Sequence, residues 1–211
     1  HIPQDDDFMW MQYAQHFNVP TRLLDFTSSP LVARYFCCKS MSEVQGTVWM
    51  LNAKSFKTWS MDDSYCRNNG KSLMNEALIG SIMDGLKYSR EERAARSYKE
   101  RPLYFIPPYI DDRMRAQSSR FLLWGKDERP LDGMIDSSYR LASYEDGVAI
   151  RIAGDKRFLA KIVISSKHKR NILKELDFLG INEKTILPDL DGVGNYIREI
   201  YTRDPDEYRY F

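Results

Sequence analysis

The run from Gln15 to Phe36, QHFNVPTRLLDFTSSPLVARYF, leaves its part of the chain few conformations to choose from. Asn18-Val19-Pro20 is a turn, because a residue ahead of proline is pushed out of the helical region. Leu23-Leu24 is a short apolar run, and Asp25 to Ser29 reads as a polar corner. Ser29-Pro30 then starts a helix, with Ser28 or Ser29 as its cap and proline in the first turn. Arg22 and Asp25 put charge on both sides of the apolar pair, where a plain buried strand would carry none. A segment of this kind aims polar groups into a cleft.

The rest of the chain supplies a scaffold. Residues 8–16 form a helix capped near Asp6 or Asp7, since carboxylates favour a helix start. Leu31, Val32, Tyr35, Phe36 and Cys38 make an apolar helical stripe. Residues 46–52 read as a strand whose continuous apolar middle predicts burial on both faces. From 53 to 100 the pattern is mixed and polar, with a turn at Asn68-Asn69-Gly70, a helix over 72–85 and a charged helix over 89–99. Strands follow at 103–106 and 119–124, and 125–154 is turn-rich and less regular. A strand at 158–165 leads to Ser166, cap of a helix over 167–179 that stops at Gly180. A last helix covers 192–201. Without a regular βαβ rhythm, this is one α+β domain with a mixed or antiparallel sheet flanked by helices.

Composition narrows the partners. Lys and Arg number 31 against 30 Asp and Glu, so no global field favours nucleic acid or an anionic membrane. The basic cluster Lys167-His168-Lys169-Arg170 occupies a helix first turn, unfavourable for cations, and lacks aromatic interleaving. No apolar stretch approaches the ~20 residues needed to span a bilayer. The start, HIPQDDDF, is acidic and unlike a signal peptide. Cys37, Cys38 and Cys66 show no CxxC spacing, which fits a reducing cytoplasm, with Cys37 and Cys38 as small hydrophobes. The three histidines, His1, His16 and His168, are too scattered for a multi-histidine metal site.

Gln15-His16, Val19 to Thr27, Pro30 to Ala33 and Tyr35-Phe36 resemble the FRG domain signature. Gly46-Thr47-Val48-Trp49 falls where that family has its next strand. Arg113, Gln117 and Phe121 resemble its Arg…Gln…Phe motif, and residues 187–192, LPDLDG, are similar to its C-terminal segment. The family's Phe/Tyr-Arg-Gly tripeptide does not occur, so the resemblance implies an FRG domain over 1–211 that lacks this N-terminal element.

A more distant resemblance is to ADP-ribosyltransferases of the Arg-Ser-Glu type. Phe26-Thr27-Ser28-Ser29, the helix after it and the strand at 47–51 look like that family's second element. The resemblance implies an ADP-ribosyltransferase-like fold and NAD as substrate, with Arg22, Thr27, Ser28, Ser29 and Arg113 toward the dinucleotide. Helix-start amides and hydroxyls suit phosphate or ribose, and Arg22 adds a charge-assisted bond to a diphosphate. Gln117, Asp25 and His16 are the catalytic candidates. Gln117 stands where a catalytic Glu is expected, and an amide cannot supply the negative charge, so Asp25 or Asp112 would have to substitute.

The function implied is an NAD-utilising ADP-ribosyltransferase-like or NAD-hydrolysing effector of a bacterial toxin or phage-defence system, with a protein acceptor or regulatory partner. Two alternatives stay open: a non-catalytic nucleotide- or protein-binding module, and a nucleic-acid-directed toxin. Structural readings stand beside these. Arg22 and Asp25 could form an ion pair that orders the turn, His16 could cap a helix, Gln117 and Arg113 could anchor a strand edge, and Trp49 and Trp124 read as core.

Overall fold

The computed structural model describes residues 6–40, 42–69, 75–135, 139–145, 148–153 and 158–202, with side chains described outside 75 and 139–153. In chain order the elements are α1 (Asp7–His16), β1 (Leu23–Thr27), α2 (Pro30–Lys39), β2 (Gly46–Leu51), α3 (Ala53–Met61), α4 (Ser64–Asn69), α5 (Asn75–Leu86) and α6 (Arg90–Ala95). Then come β3 (Leu103–Phe105), α7 (Asp112–Ala116), β4 (Ser119–Leu123), α8 (Leu131–Met134), β5 (Tyr139–Glu145), β6 (Val148–Ala153) and β7 (Leu159–Ile164). Helices α9 (Ser166–Phe178), α10 (Glu183–Ile186) and α11 (Leu190–Thr202) complete it.

The strands form two antiparallel sheets, ordered β1-β4-β3 and β2-β7-β6-β5. Helices flank both, which is the α+β class expected. In the first sheet β4 is central, and its SRFLL sequence suits that place. Phe121 and Leu123 join Leu23, Leu78, Ile82, Leu103 and Phe105 in one core. Leu122 points to the other face, into a second core with Phe56, Trp59, Phe158 and Leu159. That second core ties the two sheets together. A third holds α2 and α9 against the second sheet through Val32, Tyr35, Ile164, Ile172 and Leu176.

Several expectations are corrected. Asp25 to Thr27 are not a corner but the second half of β1, paired through Phe121 to Ser119 of β4. The ladder to β4 pairs this segment on one side, and its other side is the sheet edge. Strand β2 is not buried on both faces, because it is an edge strand with Thr47 and Met50 exposed. Asn68 and Asn69 end helix α4 instead of making a turn, and Gly70 lies outside the described residues, as do 72–74 of the helix expected at 72–85. The charged helix stops at Ala95, before extended residues that carry Lys99 into the interior. Ser165 and not Ser166 takes the cap position of α9. The stretch 125–154, expected to be irregular, holds α8 and the β5–β6 pair.

Candidate functional site

The polar run at 15–29 builds one wall of a cleft. Helix α1 is started by Asp6, whose carboxylate accepts from Met9 N at 2.8 Å. It ends where Asn18 takes a left-handed φ of 59°, a conformation asparagine tolerates, and Val19 N closes onto Ala14 O at 2.9 Å. That reversal brings Gln15 back over β1. Thr21 Oγ1 donates to Gln15 Oε1 at 2.6 Å and accepts from Leu23 N at 3.0 Å. With its oxygen so engaged, the Gln15 amide directs Nε2 to Asp25 Oδ2 at 2.5 Å.

Asp25 lies at the edge of the sheet, open to solvent on one side and crowded by protein on the others, as a residue in a cleft wall should be. Burial raises its pKa above the ordinary 3.8, against the Gln15 hydrogen bond and the charges of Arg113 and His16. The expected ion pair with Arg22 does not form. Arg22 instead donates to Gly125 O at 2.6 Å and pairs with Glu128. Glu128 also lies 3.5 Å from Arg90 and 3.7 Å from Arg93, so three cations share one carboxylate. Of these four charged groups only Arg22 and Glu128 line the cleft, with Asp132 beside them.

The corner after β1 is stapled to the turn between α7 and β4. Thr27 Oγ1 donates to Gln117 O at 2.6 Å and accepts from Ser29 N at 3.0 Å. Ser28 N donates to Ser118 O at 3.1 Å, where Ser118 has a left-handed φ of 50°. Ser29 caps α2 by accepting from Val32 N at 3.4 Å. Gln117, cap of α7, sends Nε2 to Ile186 O at 3.3 Å, tying the turn to α10.

The cleft itself encloses about 920 Å³ between the edge strands β1 and β2, with α2 as one side. Arg22, Asp25, Thr27 and Gln117 all line it. Ser28, Ser29, His16, Arg113 and Asp112 are not in its lining. His16 Nε2 sits 3.1 Å from Asp111, which also caps α7 through Met114 N, so both His16 and Arg113 bear on Asp25 through charge. Trp49 and Trp124, read as core, are half-buried in the cleft wall with Phe36. Lys169, from the basic cluster, is buried and donates to Ser40 O at the end of α2 at 2.8 Å.

Sequence reasoning missed Glu128 and Asp132 in the lining, because 125–135 carries no periodic signal. It also assigned Cys37 to packing. Cys38 fills that role, while Cys37 lines the cleft. A hydrogen bond from Cys38 and the charge of Lys169 draw the Cys37 pKa down to about 7 against the effect of burial. Among the described residues no group of three or more His, Cys, Asp or Glu is placed to hold a metal ion. Nor is any described helix long and apolar enough to cross a membrane.

Residues 1–46 match the FRG domain family model. The match supports the FRG family across α1, β1 and α2, the elements that build the Asp25 wall of the cleft. The FRG-like residues Arg113, Gln117, Phe121 and 187–192 lie beyond it. No curated protein and no solved structure matches the chain. Within the matched segment the polar residues divide into two kinds. Thr27, Ser28 and Ser29 hold the corner together, and Arg22 and Asp25 face the cleft.

Proposed function

We propose that the cleft binds NAD and that the protein is an ADP-ribosyltransferase-like or NAD-hydrolysing enzyme. The observation that carries this reading is the pairing of Asp25 with a cleft of dinucleotide size. At about 920 Å³ the cleft is near the top of the ~300–1,000 Å³ range of small-molecule sites. Its aromatic wall of Phe36, Trp49 and Trp124 suits a base, and the Arg22 end suits a diphosphate.

In the reaction, the bond between nicotinamide nitrogen and ribose carbon breaks with both electrons leaving on nicotinamide. Positive charge then spreads over the ribose carbon and ring oxygen. Asp25 supplies the facing negative charge, the role that Gln117 as an amide cannot take. A nucleophile from water or a protein acceptor adds to the carbon and gives up its proton. The resemblance to FRG proteins extends the proposal to a cytoplasmic effector in a bacterial toxin or phage-defence system.

One observation favours a second reading, a non-catalytic module that binds a nucleotide or a protein. Arg22 and Gln117 both spend hydrogen bonds on the protein itself, at Gly125 O, Glu128 and Ile186 O. Incubation with NAD separates the two. Enzyme predicts nicotinamide release that Asp25→Asn lowers about 10²–10³-fold, the usual loss of one electrostatic contribution. NAD binding by calorimetry without release supports the module, and absence of both overturns the NAD reading.

A further inference from the structure

Strand β3 pairs with β4 on one side only, and the register tells which of its backbone groups are left over. Trp124 N donates to Arg22 O and Ser28 N to Ser118 O, so the even-numbered residues of β4 bond to β1. The odd-numbered Phe121 and Leu123 therefore bond to Phe105 and Leu103 of β3. Tyr104, between these two, turns its N–H and C=O to the outer edge. Ile106, kept extended by Pro107 after it, does the same one step further on. Upstream the edge is already taken. Ser60 Oγ donates to Pro102 O at 2.6 Å, and Asp63 accepts from the N–H groups of Glu100 and Arg101 at 3.1 Å. Among the described residues no such bond reaches the outward groups of Tyr104 or Ile106. An open edge of this kind is a template for another strand.

The same edge forms the floor of a groove of about 950 Å³, separate from the cleft. On one side α3 presents Lys54 and Lys57, exposed, one turn apart and without an ion pair among the described residues. On the other side α1 and α5 present Phe8, Ile79 and Met83, with Asp7 and Glu76 at the rim. Gly80 has open space there where a side chain would be. We propose that this groove binds an extended segment of a partner protein, which adds a strand to β3 and alternates acidic with apolar side chains. The Tyr104 and Ile106 groups call for a backbone, which offers donors and acceptors at the same two-residue spacing. Side chains of an added strand point alternately to the two faces of the sheet. Those on the α3 face meet Lys54 and Lys57, which select carboxylates, and those on the α1 and α5 face meet the apolar wall. Pro107 and Pro108 have no N–H, so the ladder ends at Ile106 and the contact is short. The site stands whether or not the cleft takes NAD.

The probe is a blocked octapeptide alternating glutamate and valine, added to the whole chain and followed by amide NMR. Saturable binding is expected below about 1 mM. The amide protons of Tyr104 and Ile106 should then exchange more slowly, while that of Phe105, already bonded to β4, keeps its rate. Reversing both lysines, Lys54→Glu with Lys57→Glu, should weaken binding about tenfold with an unchanged circular dichroism spectrum. N-methylation of every second peptide nitrogen should abolish binding in one register and spare it in the other. Three outcomes overturn the proposal: no binding at about 1 mM, binding that leaves Tyr104 and Ile106 exchange unchanged, which makes the groove a side-chain or small-molecule site, or a charge reversal without effect.

Discussion

Two carboxylates in this molecule meet opposite fates. Asp63 is fully buried, and its two oxygens accept from Lys99 Nζ at 2.5 Å and from the backbone N–H groups of Cys66, Glu100 and Arg101 at 2.9–3.1 Å. Burial alone would raise its pKa, but these donors bring it below 3.8. Lys99 Nζ also donates to Ser60 O at 2.6 Å. Asp25 stands exposed at the sheet edge, partly desolvated by its neighbours and with fewer donors. The Gln15 amide and its own backbone N–H hold it, and its pKa still goes up. The difference is donor supply. Asp63 spends both oxygens on donors and orders a loop, whereas Asp25 lines the cleft with fewer donors, which costs stability and suits chemistry.

The most disruptive way to break this contrast is Lys99→Met, which leaves Asp63 charged and uncompensated. A loss of about 3–5 kcal/mol is expected in denaturant unfolding, while Asp25→Asn leaves the fold intact. Next in size is the effect of Asp25→Asn on nicotinamide release, about 10²–10³-fold. An equal loss from Lys99→Met in protein that is still folded would erase the distinction between a structural and a functional carboxylate.

Acid sharpens it further. The Asp63 contribution is present above the unfolded value of 3.8 and is lost as pH falls through the lower folded value. Denaturation midpoints should therefore drop as the solution is acidified below about pH 3.8, and Asp63→Asn should flatten that decline. Asp25 acts with the opposite sign. Its folded pKa is raised, so stability falls as pH rises from 3.8 through the folded value.

Gln15→Met removes the hydrogen bond that lowers the Asp25 pKa, so the acid limb of the activity profile should move to higher pH. The smallest effect is thermal. At neutral pH Asp25→Asn relieves the cost of a poorly solvated charge, and Tm should rise on the order of 1 °C. A fall in Tm would mean that Asp25 is itself a structural group.

Much of the scaffold around Asp25 was legible because it depends on neighbours in sequence. Asp6 and Ser29 cap their helices, Pro20 follows the end of α1, Gly180 with φ of 79° follows the end of α9, and SRFLL makes a strand buried on both faces. The errors arose where partners are distant or signals are short. GTVWML looks like a central strand, but its place in the sheet is set by β7 alone, and its other edge faces the cleft. The β5–β6 pair went unread although an Asp-Gly dipeptide, a common hairpin signal, separates the two runs at 146–147. Helix α3, opened by Asn52 accepting from Ser55 N, was hidden in a polar stretch whose buried apolar anchors are Phe56 and Trp59.

Sequence by itself determined that residues 15–36 would hold a helix end, a short apolar run and a capped helix, since caps and proline act within a few residues, but it read the strand residues 25–27 as a corner. Tertiary structure decided what the charges of Arg22 and Asp25 meet. It sent Arg22 across 106 positions to Glu128, kept it from Asp25, and opened a cleft between two sheet edges that no local pattern records. A strand's alternation says which side chains share a face, but which other segment lies opposite is fixed only when the whole chain has packed.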